Sequence, residues 1–155
     1  MNFSDKVKGF LDHKTIAVTG VSSGTPDAAN HIFKKFKDAG YLTYPVNPKA
    51  NTVEGVACYP NLSSLPDTPG GVMIASPPSS AQSIIEECLD LGIGYVWFHS
   101  SINQGSLDEN AAAFAEDKGM TVLRTGCPMM YIAPVDFGHK FMKWFFRLTG
   151  KIPKN

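Results

Sequence analysis

Residues 15–36 read TIAVTGVSSGTPDAANHIFKKF, and this stretch decides the fold. TIAVTG is a short apolar run closed by Gly20. Ala28 to Lys37 then carries Ile32, Phe33 and Phe36 at helical spacing, so the segment is a strand, a turn and a helix. The turn holds Gly20 and Gly24 at the spacing G-x-x-x-G, not the G-x-G-x-x-G of a dinucleotide fingerprint. Gly20 suits a departure from the strand at positive φ, and Gly24 lets backbone approach a ligand. Ser22, Ser23 and Thr25 offer hydroxyls beside amides at a helix N-terminus, with Pro26 and Asp27 suited to its first turn. The turn has the makings of a diphosphate cradle, although a glycine-rich connector without a ligand has the same composition.

The same rhythm repeats along the rest of the chain. Gly40 stops the first helix, and LTYPVNP (42–48) alternates Leu42, Tyr44 and Val46 before an Asn-Pro turn. GGVMIASPP (70–78) is a buried strand, followed by a helix over about 79–91 with Ile84, Ile85, Cys88 and Leu89 on one face. YVWFHS (95–100), a helix over about 107–118 and TVLR (121–124) complete the series. Strands alternating with helices predict a mainly parallel sheet of five or six strands between two helical layers. With 155 residues, 43% hydrophobic and 18% charged, the chain is expected to be a single domain. Its core is expected over 14–127 and a C-terminal amphipathic helix over 135–150.

Ligands of such sheets bind at the carboxyl ends of the strands, where strand order reverses. Three loops fall there. The first is 20–26. The second reads Val46-Asn47-Pro48-Lys49, where an NAD site would place a carboxylate for the ribose diol. Lys49 instead supplies a positive charge suited to a phosphorylated ribose, a description that both NADP and CoA meet. The third, Ser76-Pro77-Pro78-Ser79-Ser80, has two consecutive prolines that stiffen the backbone into a flat wall for an adenine or a pantetheine arm, or else merely begin a helix.

AVTGVSSGTP, Gly40-Tyr41, PVNPK, CYPNLSSLP (58–66), ASPPSSA and YVWFHS together resemble the CoA-binding domain family. This Rossmann-like module is similar to the N-terminal part of the succinyl-CoA synthetase α subunit. The resemblance covers Lys14 to about Cys127. It implies that Gly20, Ser22, Ser23, Gly24 and Thr25 hold the diphosphate and that Asn47, Pro48 and Lys49 meet the 3′-phosphoadenosine. It implies also that Ser76, Pro77 and Pro78 line the cofactor. Asn30 stands near the place where many stand-alone members carry an arginine. The synthetase's catalytic domain, with its phosphorylated histidine, has no counterpart here, so ligase activity does not carry over.

His99, Cys127 and His139 form the other group of chemical side chains, close together if their strand ends are neighbours. No Cys-x-x-Cys or His-x-x-x-His spacing supports a metal site. Cys127 reads as a buried small residue before a proline, with a nucleophile assisted by His99 as the alternative. No catalytic residue is assigned.

In the segment 135–149, Phe137, Phe141, Trp144, Phe145 and Leu148 fall on one helical stripe, which is expected to cover the sheet. A homodimer interface and a membrane-surface contact are the alternatives, since a basic amphipathic helix can do either, and the balanced overall charge favours the dimer of the two. Fourteen Lys and Arg balance fourteen Asp and Glu, which argues against nucleic acid and against a membrane surface as partners. Three dispersed cysteines and the absence of a signal-like or spanning apolar run place the chain in the cytoplasm on this reading. The expected function is binding of CoA or acyl-CoA by a non-catalytic or regulatory module. A small NADP-dependent oxidoreductase and an interaction protein that has lost its nucleotide are the alternatives.

Overall fold

In the computed structural model, which describes residues 1–102 and 105–153, Thr15–Thr19 (β1) is flanked by Leu42–Val46 (β2) and Gly71–Ile74 (β5). Tyr95–Phe98 (β6) and Thr121–Leu123 (β7) extend the sheet to the order β2-β1-β5-β6-β7, all parallel. Counted along the chain within this sheet, the order is 2-1-3-4-5, so the winding reverses between β1 and β5. Pro45 falls in β2, an edge strand, where a missing amide is tolerated.

Alternation along each strand sorts the core into two layers. Ile16, Val18, Met73, Trp97 and Leu123 face one side, where Phe3–Asp12 (α1), Ala28–Asp38 (α2) and Phe137–Leu148 (α5) contribute Phe10, Phe33, Phe36 and Phe146. Ala17, Val72, Ile74, Val96 and Phe98 face the other, under Ala81–Asp90 (α3) and Glu109–Asp117 (α4). The chain therefore has a Rossmann-like α/β/α architecture. Ile32, Phe33 and Phe36 are fully buried, as their helical spacing predicts.

Two elements were not anticipated. One is α1, capped by Asn2, whose side chain accepts from the Asp5 amide, and burying Val7 and Phe10. The other is an antiparallel hairpin of Thr52–Val53 (β3) and Val56–Ala57 (β4), separate from the main sheet. Its turn puts both Glu54 (φ 48) and Gly55 (φ 75) in the left-handed region.

The expectation for α5 needs correction. The helix packs inward through Phe146, with Met142 and Phe145 partly buried beside it. Of the stripe expected to cover the sheet, Phe145 packs against the core and the other four point outward: Phe137 is 84% exposed, Phe141 50%, Trp144 57% and Leu148 60%. A second apolar side to the helix, centred on Phe146 about half a turn from Phe137, competes for the sheet and wins it.

Candidate functional site

A groove of about 370 Å³ opens at the carboxyl ends of the strands, across the reversal point. Gly20 floors it from the end of β1, and Ser76 and Pro77 wall it from beyond β5. Asn47, Pro48 and Lys49, after β2, form its far rim. Six of the residues expected at the site thus converge on one cleft.

The close meeting of β1 and β5 explains why residue 20 is glycine. Its φ is +86°, and a Cβ there would lie 2.8 Å from the Ser76 amide nitrogen and 2.9 Å from the Ala75 carbonyl. Both conformation and space exclude a side chain. Thr19 and Ser76 hydroxyls stand 2.9 Å apart, and the Ser80 hydroxyl donates to Ser76 Oγ at 2.8 Å, which fixes the polar floor.

Asn47 ties two of the loops together. Its Nδ2 donates to the Val21 carbonyl, and its Oδ1 accepts from the Lys49 amide, each at 2.9 Å. Lys49 is thereby held at the rim with its side chain exposed.

The expected diphosphate turn is placed differently. Ser22, Ser23 and Gly24 line a separate cleft with Asn30 and the β3–β4 hairpin, while Thr25 and Pro78 line neither that cleft nor the groove. The turn is also pinned from within. Asn30, buried in α2, accepts the Ser22 amide on Oδ1 and donates from Nδ2 to the Ser22 carbonyl and to Glu54. The Gly24 amide donates to Ser22 Oγ. Asp27 is the N-cap of α2, its carboxylate accepting from the Ala29 and Asn30 amides, so it occupies part of the first helical turn.

Several groove residues had no role assigned to them from the sequence. Pro60, Asn61 and Leu62 form a further wall, and Ser79, Ser80, Ser83, Ile84 and Glu87 come from the start and face of α3. The wall is held by Glu87, whose Oε2 accepts from the amides of Leu62 and Ser63. Among the described residues that line the groove, Lys49 is the one cation and Glu87 the one carboxylate, and the latter is tied to the backbone of the wall. CYPNLSSLP pointed to this segment only through the family pattern. Glu87 reads in sequence as one acid in an ordinary helix face.

A second cavity, of about 520 Å³, adjoins the groove and shares Gly20, Ser76 and Pro77 with it. Asp27, His99 and Ser106 supply its polar lining. His99 is buried at the end of β6, and burial lowers its pKa from the usual 6.5. Asp27 opposes that shift and His139 adds to it. The end of β6 therefore does bring His99 and His139 into electrostatic reach. Cys127 is buried, and burial pushes its thiol up to about 12, which keeps it protonated and disfavours the nucleophilic alternative. Among the described residues, no group of His, Cys, Asp and Glu is arranged to hold a metal ion.

A parallel sheet with a cleft at its reversal point, a proline wall and a lysine rim places the chain among the open α/β domains whose clefts lie at the carboxyl ends of the strands. The chain belongs to a specific family of these: the model described as CoA binding domain matches residues 14–133. It is 30% identical over 115 residues to an uncharacterized Bacillus subtilis protein, YneT, covering 74% of this chain and 82% of that one. It is 32% identical over 82 residues to an ADP-forming acetate–CoA ligase II of Archaeoglobus fulgidus, covering 52% of this chain but only 12% of the ligase. Among solved structures, a hypothetical protein from Pyrococcus horikoshii OT3 superposes with a TM-score of 0.74 at 28% identity, covering 83% of this chain and 88% of that one.

Proposed function

We propose that the chain binds CoA or an acyl-CoA in the groove at the β1/β5 reversal point, as a binding or regulatory module. The phosphoadenosine lies between Pro48–Lys49 and the Pro60 and Pro77 walls, with Lys49 facing the 3′-phosphate. The pantetheine arm crosses Gly20 and Ser76 toward the second cavity, which brings its sulfur end near His99. The observation that carries this reading is the convergence of Asn47, Pro48 and Lys49 with Ser76 and Pro77 on a single cleft. A rim with a lysine where an NAD site has a carboxylate supports a phosphorylated ribose. Membership of the CoA binding domain family supports CoA over other such ligands. The ligase relative contains far more chain than is matched here, and its reaction is not assigned to this protein.

The test is a cycle of Lys49→Ala against CoA and dephospho-CoA, which lacks the 3′-phosphate. An exposed charge-assisted contact is worth about 1.5 kcal/mol, so the substitution weakens CoA binding about tenfold and leaves dephospho-CoA binding nearly unchanged. Equal losses for the two ligands in calorimetry remove Lys49 from the 3′-phosphate. Tighter binding of NADP than of CoA by the unmodified chain replaces the ligand while keeping the rim.

A further inference from the structure

The balanced net charge of the chain conceals a segregation. Residues 137–155 contain five Lys and Arg and no Asp or Glu, whereas residues 1–136 contain nine Lys and Arg and all fourteen Asp and Glu. The first segment therefore carries +5 and the rest −5. Most of the basic segment is α5, the helix whose aromatic stripe is exposed.

The stripe does not face outward through a loose fit. Phe146 is fully buried on the opposite side of α5, and Lys143 lies over the Tyr131 ring, 4.0 Å from its centroid. These contacts hold the helix to the body with Phe137, Phe141, Trp144 and Leu148 presented to solvent. The Phe141 ring meets Trp144 at 5.7 Å, so they form a contiguous apolar ridge. Lys140 and Arg147 lie along one border of that ridge and Lys151 follows the helix; all three are exposed, and none enters an ion pair among the described residues.

A second copy of this chain is a poor fit to the ridge. A two-fold interface sets the same patch against itself, and here that brings two strongly basic segments together. An anionic lipid surface meets both features at once: headgroups take the lysines and arginine, and the acyl boundary takes Phe, Trp and Leu. We infer that α5 is a docking face by which the protein lies on an anionic membrane surface. No helix among the described residues is long and apolar enough to cross a bilayer, so the contact is interfacial.

The experiment uses the full chain and vesicles of equimolar phosphatidylglycerol and phosphatidylcholine, with pure phosphatidylcholine as the control. Trp144 is the exposed tryptophan and Trp97 is buried, so a blue shift of emission reports α5. The expected result is co-sedimentation with the anionic vesicles, a blue shift, and release by added salt. Lys140→Ser and Arg147→Ser each reduce partitioning about fivefold, and Phe141→Ser with Trp144→Ser abolishes it while leaving the melting temperature unchanged. Absence of vesicle binding at low ionic strength overturns the inference. So does binding without anionic preference, or a dimer in sedimentation that the Phe141→Ser, Trp144→Ser variant dissolves. Should that variant fail to fold, the salt and lipid dependence of the unmodified chain still decides.

Discussion

Gly20 and Gly24 share the turn after β1, and the structure gives their substitution opposite consequences. Gly20→Ala forces a Cβ to within 2.8 Å of the Ser76 amide nitrogen and 2.9 Å of the Ala75 carbonyl, at a φ of +86°. Both neighbours are backbone, so neither can swing aside. Left-handed backbone costs an L-residue about 1–2 kcal/mol, and overpacking adds about 1–3 kcal/mol, for a loss of about 2–5 kcal/mol. At about 2–4 °C per kcal/mol in a domain of this size, the melting temperature falls by about 4–20 °C. Gly24→Ala serves as the internal control. A Cβ at residue 24 meets the Ser22 hydroxyl at 3.5 Å, ordinary contact, so stability changes by less than about 0.5 kcal/mol. Thermal and urea unfolding followed by circular dichroism measure both variants. The reasoning fails if Gly20→Ala melts with the parent, or if Gly24→Ala is equally damaging, since the turn would then be sensitive as a whole and not at the β1/β5 approach.

Asn30→Asp places a carboxylate where Nδ2 now donates to the Ser22 carbonyl and Glu54. The variant is destabilised by about 1–3 kcal/mol at neutral pH and recovers part of the loss when the carboxylates are protonated, as urea unfolding at two pH values would show. His99 has a folded pKa below its unfolded value near 6.5, chiefly through burial, so the unfolded chain binds more protons in the window between them. Stability accordingly falls as pH drops below about 6.5 toward the folded pKa, and His99→Gln flattens that part of the stability profile; an equal slope in the variant contradicts the assignment.

The parallel sheet, its two helical layers and α2 were legible because period-2 and period-3.6 apolar patterns come from burial itself, as in Ile32, Phe33 and Phe36. Helix α1 carries a weaker signal, with Asn2 as a cap and Phe3, Val7 and Phe10 at helical spacing but Gly9 inside a span of only ten residues. The β3–β4 hairpin gave a weak signal because Glu54, not Asn or Asp, takes the left-handed position before Gly55. The α5 stripe misled for a physical reason. Hydrophobic periodicity identifies an apolar face but not what covers it, and a helix with Phe146 opposite Phe137 has two faces for one sheet. At the site, loop residues at the strand ends followed from topology, whereas the Glu87 support of the Pro60–Leu62 wall depends on tertiary contacts between segments 25 residues apart.

Native mass spectrometry of the full chain, incubated with equal amounts of CoA and NADP, decides which ligand the groove takes. A CoA-binding groove predicts one retained adduct with the mass of CoA, weakened in Lys49→Ala. Retention of NADP instead, or of neither ligand, contradicts it.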